Sequence, residues 1–157
     1  MTNIQYCRCD DRLIHGQVIH KWIDELKIHS IIVIDDKAFD DVIEKTFIQM
    51  AAPHHIQVDV MNVAAVKSQF YKSDIKDQTL ILIRNLETME RLLQIGFHIE
   101  TLIIGRIPTG IGRKKVTSNV YLNDFEFKFL EELNSKDTKI FLQSVPDDIR
   151  IELKDIL

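Results

Sequence analysis

Cysteine, proline, glycine and tryptophan are scarce in this chain: two, three, five and one in 157 residues. Cys7 and Cys9 cannot make a structural zinc site alone, because such a site takes four ligands. Two apart in an extended stretch, they point to one face and read as buried, reduced strand residues of a reducing compartment. No apolar run approaches the ~20 residues of a membrane helix. The opening MTNIQYCRCD lacks the apolar core of a signal peptide. Charge of one sign is also missing. Lysine and arginine total 20 against 24 acidic residues, a net charge of −4, so the basic face of a nucleic-acid binder is not expected. What is present, 45% hydrophobic and 28% charged residues, excludes a disordered or fibrous chain. The length predicts one domain over residues 1–157, with the cytoplasm as its place. Composition does not choose a function.

Short apolar runs alternate with amphipathic stretches, and no linker, repeat or low-complexity segment interrupts them. Ile4–Cys9, Ser30–Asp35, Ile56–Val60, Thr79–Arg84, Thr101–Gly105 and Lys139–Val145 predict strands, with a short one at Val120–Leu122. Leu13–Leu26, Ala38–Met50, Val63–Tyr71, Leu86–Ile95, a segment from Asn123 or Asp124 to Leu133, and Asp147–Leu157 predict helices. Near-continuous apolar strands between helices indicate a three-layer α/β/α sandwich around a mostly parallel sheet. Such sheets place ligands at the carboxyl ends of strands, which directs attention to the loops there. No hydrophobic stripe stands out as unused, so a homodimer is possible but not specified.

The loop after the first strand concentrates chemistry: Cys9-Asp10-Asp11-Arg12-Leu13-Ile14-His15-Gly16-Gln17-Val18. A neutral imidazole at His15 offers a nucleophilic lone pair near physiological pH. Free N–H groups at a helix start favour an anion such as phosphate. Arg12 can clamp phosphate oxygens. Asp10 or Asp11 can orient Arg12 or the ring. Gly16 allows close backbone approach, and Gln17 can donate to an oxygen. The competing reading makes an aspartate an N-cap, Arg12 its partner and His15 an ordinary first-turn residue.

The string Arg8-Cys9-Asp10-Asp11-Arg12-Leu13-Ile14-His15-Gly16-Gln17-Val18 resembles the signature of the IIB subunits of the mannose/fructose/sorbose class of the bacterial phosphotransferase system. Trp22, Ile32-Val33-Ile34-Asp35-Asp36, Gln49-Met50-Ala51-Ala52-Pro53, Ile103-Ile104-Gly105 and Ser144-Val145-Pro146-Asp147 extend the resemblance along the chain. Cys9 departs from the usual Ile or Val, and Arg106-Ile107 replaces a common Gly-Met. The resemblance implies a phosphocarrier. His15 would accept a phosphoryl group on Nδ1 from phosphorylated IIA and pass it to a sugar imported through membrane IIC and IID subunits. IIA would be a separate chain, and the protein would associate with the membrane complex peripherally. Arg12, Asp10, Gly16 and Gln17 would bind or orient the phosphoryl group, with no metal and no cofactor. Asp11, Asp35 and Arg106 are further candidates. The sugar (mannose, fructose, sorbose or an amino sugar) is not readable here.

Other features are weaker. Gly110-Ile111 breaks the pattern of a nucleotide-binding P-loop. Asp35 and Asp36 could serve the site or cap the second helix, and Asn85 reads as a cap. His20, His29, His54, His55 and His98 lack partner ligands and read as surface residues. A phosphorylation-dependent regulatory module without direct sugar phosphorylation, and a flavodoxin-like anion-binding domain, are the rival readings.

Overall fold

The computed structural model describes residues 2–70, 75–76 and 78–156. It contains a seven-stranded sheet of order β3-β2-β4-β1-β5-β8-β9. The strands are β1 (Thr2–Asp10), β2 (Ser30–Ile34), β3 (Gln57–Met61), β4 (Thr79–Ile83), β5 (Phe97–Arg106), β8 (Lys139–Leu142) and β9 (Ile151–Glu152). All neighbouring pairs are parallel except β8 with β9. β6 (Lys114–Lys115) and β7 (Tyr121–Leu122) form a separate antiparallel pair.

Helices cover both faces, because the central strands are apolar on both. On one side α1 (Gly16–Leu26), the short α2 (Asp36–Asp40) and α3 (Val42–Ala51) lie over β2 and β4. Ile19, Ile23 and Ile48 pack there against Ile31, Val33, Leu80 and Leu82. On the other, α4 (Val63–Gln69), α5 (Leu86–Gln94) and α6 (Asp124–Ser135) bury Val66, Met89, Leu92 and Leu130 against Ile34, Ile81, Leu102 and Ile140. The expected three-layer α/β/α architecture is therefore present. Cys7 and Cys9 are buried and free within the second core, where burial raises both thiols well above their ordinary range.

Local chemistry moves several boundaries. The helix expected over Ala38–Met50 is two helices. Asp41 stops α2 in an extended conformation, and its carboxylate accepts from the N–H groups of Ile43 and Glu44 to start α3. Asn85 and Asn123 are N-caps, the latter in a reciprocal capping box with Glu126. The last helix, expected over Asp147–Leu157, does not form. After a turn, β9 returns antiparallel on β8, pairing Leu142 with Ile151, and a 3₁₀ turn follows at Leu153–Asp155. The edge of β8 gains hydrogen-bond partners that a helix could not supply. Tyr71 and Leu157, where two expected helices ended, lie outside the described residues.

One apolar stripe does remain open. Val42, Ile43, Phe47 and Met50 are exposed on the outer face of α3, at i, i+4, i+7 spacing for the last three. Among the described residues, no helix is long and apolar enough to cross a membrane.

Candidate functional site at the end of the first strand

β1 lies in the middle of the sheet, between β4 and β5, so its exit loop sits over the centre of the carboxyl edge. The pairing of β1 with β5 is regular to Cys9 with Ile104, then skips to Asp10 with Arg106. Gly105 is the extra residue of this bulge, and the bulge aims Asp10 and the loop beyond it.

The chain then turns tightly. The N–H of Leu13 donates to the Asp10 carbonyl at 2.9 Å. Leu13 adopts a left-handed conformation, φ 56°, which costs a non-glycine residue about 1 kcal/mol. Its side chain is buried in the α1 core, which holds the strained turn in place. The result differs from the expected helix start at Leu13: His15 is the extended N-cap and α1 begins at Gly16. Gly16 has φ 47°, a conformation that favours glycine. His15 makes no side-chain capping bond, so the first-turn N–H groups of α1 are left to an incoming anion.

Asp10 organises the loop from below. It is 1% exposed, and its Oδ1 accepts from the backbone N–H of Arg12 at 3.0 Å and from Arg12 Nε at 3.1 Å. Oδ2 accepts from Arg12 Nη2 at 3.1 Å. Arg12 itself is about one-third exposed, so its fork is fixed on one side and open on the other.

His15 is partly buried, and neither Nδ1 nor Nε2 has a hydrogen-bond partner. Burial lowers its pKa below the ordinary 6.5. Asp10 and the nearby Leu13 backbone oppose that shift, and Arg12 and Arg8 reinforce it. The ring is therefore neutral at physiological pH, with a lone pair on one nitrogen. Gly16 and Gln17 are exposed beside it.

The remaining expected residues divide. Arg106 lies across from Asp11. Its Nε is 3.3 Å from Asp11 Oδ1, close enough for an ion pair but not aligned as a hydrogen bond. Its carbonyl accepts from the Asp11 N–H at 3.3 Å. Asp35 contacts neither Arg12 nor His15. It caps α2 through the Ala38 N–H and holds Arg84 with both oxygens, at 3.1 and 2.9 Å. Arg84 also donates to Glu44 of α3 and to the Asp11 carbonyl. Asp35 thus reaches the loop only through Arg84, whose pKa is pushed up chiefly by its hydrogen bonds to Asp35. Asp36 accepts from the Val63 N–H at the start of α4, which Asn62 caps, and pairs with Arg91. Arg113 belongs to the loop framework, bound to Glu126 at 2.7 Å and to the Pro108 carbonyl.

Sequence reasoning missed Arg8 and Arg84 as parts of the site. A charged residue inside an apolar strand was the available signal for Arg8. Nothing in the sequence marked which partners Arg84 would meet. A cavity of about 550 Å³ lies at the amino ends of β2 to β4 beside His29, Ser30, Asp59 and Thr79, the opposite edge from His15. Among the described residues, no three His, Cys, Asp or Glu side chains converge as metal ligands.

Comparison with known proteins bears on this arrangement. Residues 4–157 match the family model described as "PTS system sorbose subfamily IIB component". The chain is 29% identical, over 100% of its length and 97% of the relative's, to the PTS system fructose-specific EIIB component of Bacillus subtilis. It is 26% identical, over 98% of its length, to the PTS system mannose-specific EIIAB component of Escherichia coli K12, of which it spans 48%. Among solved structures, manxB from Thermoanaerobacter tengcongensis superimposes with a TM-score of 0.88 at 34% identity, covering 98% of this chain and 93% of that one.

Proposed function

The chain belongs to the sorbose-subfamily IIB components of the phosphotransferase system, a family that transfers phosphoryl groups in sugar uptake, and from that membership we propose that His15 is its phosphoryl carrier. In this reading the Nδ1 lone pair of His15 attacks the phosphorus of a phosphohistidine on IIA. The new P–N bond forms as the donor's P–N bond breaks, and the donor ring keeps the electron pair. In the second step a sugar hydroxyl oxygen attacks phosphorus, the His15 P–N bond breaks, and the hydroxyl proton is released. The chain's task is to position the groups and stabilise charge along the line of transfer.

The observation that carries this is the pairing at the start of α1: a neutral, unpartnered His15 ring beside Arg12, whose fork Asp10 holds from below. Arg12 meets the phosphoryl oxygens, the N–H groups of Gly16 and Gln17 take the rest of the charge, and the Gln17 side chain adds a donor. Asp11 and Arg106 border the same loop, and Arg106 is a second cation within reach of the incoming group. The donor is a IIA protein. The acceptor sugar is presented by IIC and IID in the membrane, with this chain docked on their cytoplasmic side. The EIIAB relative supports a IIA partner, because it carries both units in one chain. The chain would act as one domain needing no cofactor.

The experiment is phosphoryl transfer from phosphorylated IIA to the purified chain, followed by a chase with candidate sugars and membranes containing IIC and IID. Loss of label to sugar phosphate supports the carrier reading. A label that loads but never leaves in the presence of any of the sugars would contradict direct sugar phosphorylation.

A further inference from the structure

Arg8 sits mid-strand on β1 at 2% exposure, among the largest fully buried side chains. A buried cation is expensive unless it is paired and its donors are used. Here they are used. Nη1 donates to the Gln143 carbonyl at 2.9 Å and Nη2 to the Ser144 carbonyl at 2.8 Å. Nη2 also lies 3.4 Å from Asp10 Oδ2. The guanidinium carbon is 5.0 Å from the centroid of the Trp22 ring, and Trp22 Nε1 donates to the same Ser144 carbonyl at 3.0 Å. Neutral donors could satisfy two carbonyls more cheaply, so the positive charge itself calls for an explanation.

Asp10 supplies one. A single carboxylate stands between two guanidiniums, Arg8 on its buried side and Arg12 on its open side. Asp10 and Arg12 alone would form a neutral pair, and an arriving phosphoryl group would meet a cation already cancelled. With Arg8 added, two positive charges face one negative charge, and the excess lies on the exposed fork. We propose that Arg8 is a positioning residue for phosphoryl transfer: it neutralises and anchors Asp10, so that Arg12 is locked in place while its charge remains available to the phosphoryl group. Arg8 does not touch the phosphoryl group. Its ties to Trp22 of α1 and to the residues after β8 hold the carboxylate in fixed relation to the helix start where His15 sits. This rests on His15 being the acceptor.

The test uses the full chain with phosphorylated IIA as donor, and compares wild type, Arg8→Gln and Arg8→Lys. Three quantities are read: loading rate at low and saturating donor, the His15 titration midpoint by NMR, and the melting temperature. Arg8→Gln is expected to slow loading at saturating donor by about 10²-fold, the scale of a misplaced catalytic group, with little change in apparent KM. Its His15 midpoint rises, because a neighbouring positive charge has gone while Asp10 and Arg12 remain. Arg8→Lys restores the midpoint and recovers part of the rate, because an ammonium keeps the charge but lacks the fork. Folded Arg8→Gln with the wild-type rate and midpoint overturns the proposal, even if its melting temperature falls. Should Arg8→Gln not fold, Arg8→Lys decides: a rate at least about fivefold down at an unchanged midpoint supports the role, and a wild-type rate overturns it. Failure of wild type itself to load would remove the carrier reading and this inference with it.

Discussion

Gly105 on β5 leaves the space that Arg8 on β1 fills. A methyl group built on Gly105 would lie 2.8 Å from Arg8 Nη1 and closer still to Nη2 and Cζ. The bulge that places Gly105 opposite the end of β1 and the buried guanidinium are one device. Neither is explained without the other.

Gly105→Ala should therefore push the guanidinium off the Gln143 and Ser144 carbonyls. Overpacking costs about 1–3 kcal/mol, and an orphaned buried carbonyl about as much again. A loss of at least about 2 kcal/mol, or ~4–8 °C in melting temperature for a chain of this size, is expected in thermal unfolding. Loading by IIA falls as well, because Asp10 loses its inner partner.

Arg12 is one-third exposed, so Arg12→Ala should stay folded while phosphoryl loading drops by about 10²-fold, the effect of removing one charge-stabilising donor. Arg12→Lys should recover little, because the fork binds Asp10 through Nε and Nη2 together. Steady-state transfer with circular dichroism in parallel separates lost chemistry from lost fold.

His15 should titrate below 6.5, since burial is the leading cause of its shift. With the folded pKa depressed, the unfolded chain binds more protons as pH falls through 6.5, so this histidine's contribution to stability is present above that value and is lost below it. Loading should be flat through neutral pH and decline only in acid, once the ring protonates. Asp10→Asn removes the charge that holds the pKa up and should move the midpoint further down. A midpoint above 6.5 by NMR would contradict this electrostatic account.

Arg84 joins Asp35, Glu44 and the Asp11 carbonyl. Arg84→Ala leaves the Asp35 carboxylate, 7% exposed, without its cation. A loss of about 2 kcal/mol is expected, less than for a fully buried pair. The change should appear in urea unfolding, and amide exchange should quicken in the loop after β1 and at the start of α3.

Arg106 pairs with Asp11 at the surface, and such pairs contribute little to stability. Arg106→Gly should thus barely move the melting temperature. If Arg106 helps receive the phosphoryl group, loading from IIA falls several-fold, as for a removed charge-assisted donor. Unchanged loading and unchanged transfer to sugar would make it a loop residue only.

The β-branched runs marked the strands because a strand buried on both faces has no polar side to confuse the pattern. Where a single polar residue redirected the chain, periodicity failed. Asp41 interrupts a continuous apolar pattern, yet Val42 and Ile43 preserve that pattern on an exposed surface, so the break left no mark in hydrophobicity. At the carboxyl end, Ile151 and Leu153 suit a helix or a strand equally. The unpaired edge of β8, which the sequence does not display, decided for β9. His15, Arg12 and Asp10 were legible because they are neighbours in one short string. Arg8 meets Asp10 directly, but the carbonyls that hold it there belong to Gln143 and Ser144, some 135 residues away along the chain, and Arg84 reaches the Asp11 carbonyl while held by Asp35 and Glu44 of other elements.

The central claim is that His15 Nδ1 carries the phosphoryl group. Loading the nitrogen-15-labelled chain from phosphorylated IIA and recording imidazole nitrogen and phosphorus spectra tests it most directly. The account predicts one phosphohistidine, at Nδ1 of His15, absent from His15→Ala. A wild-type loading rate in His15→Ala, or a phosphoryl group on His20 or any other residue, would contradict it.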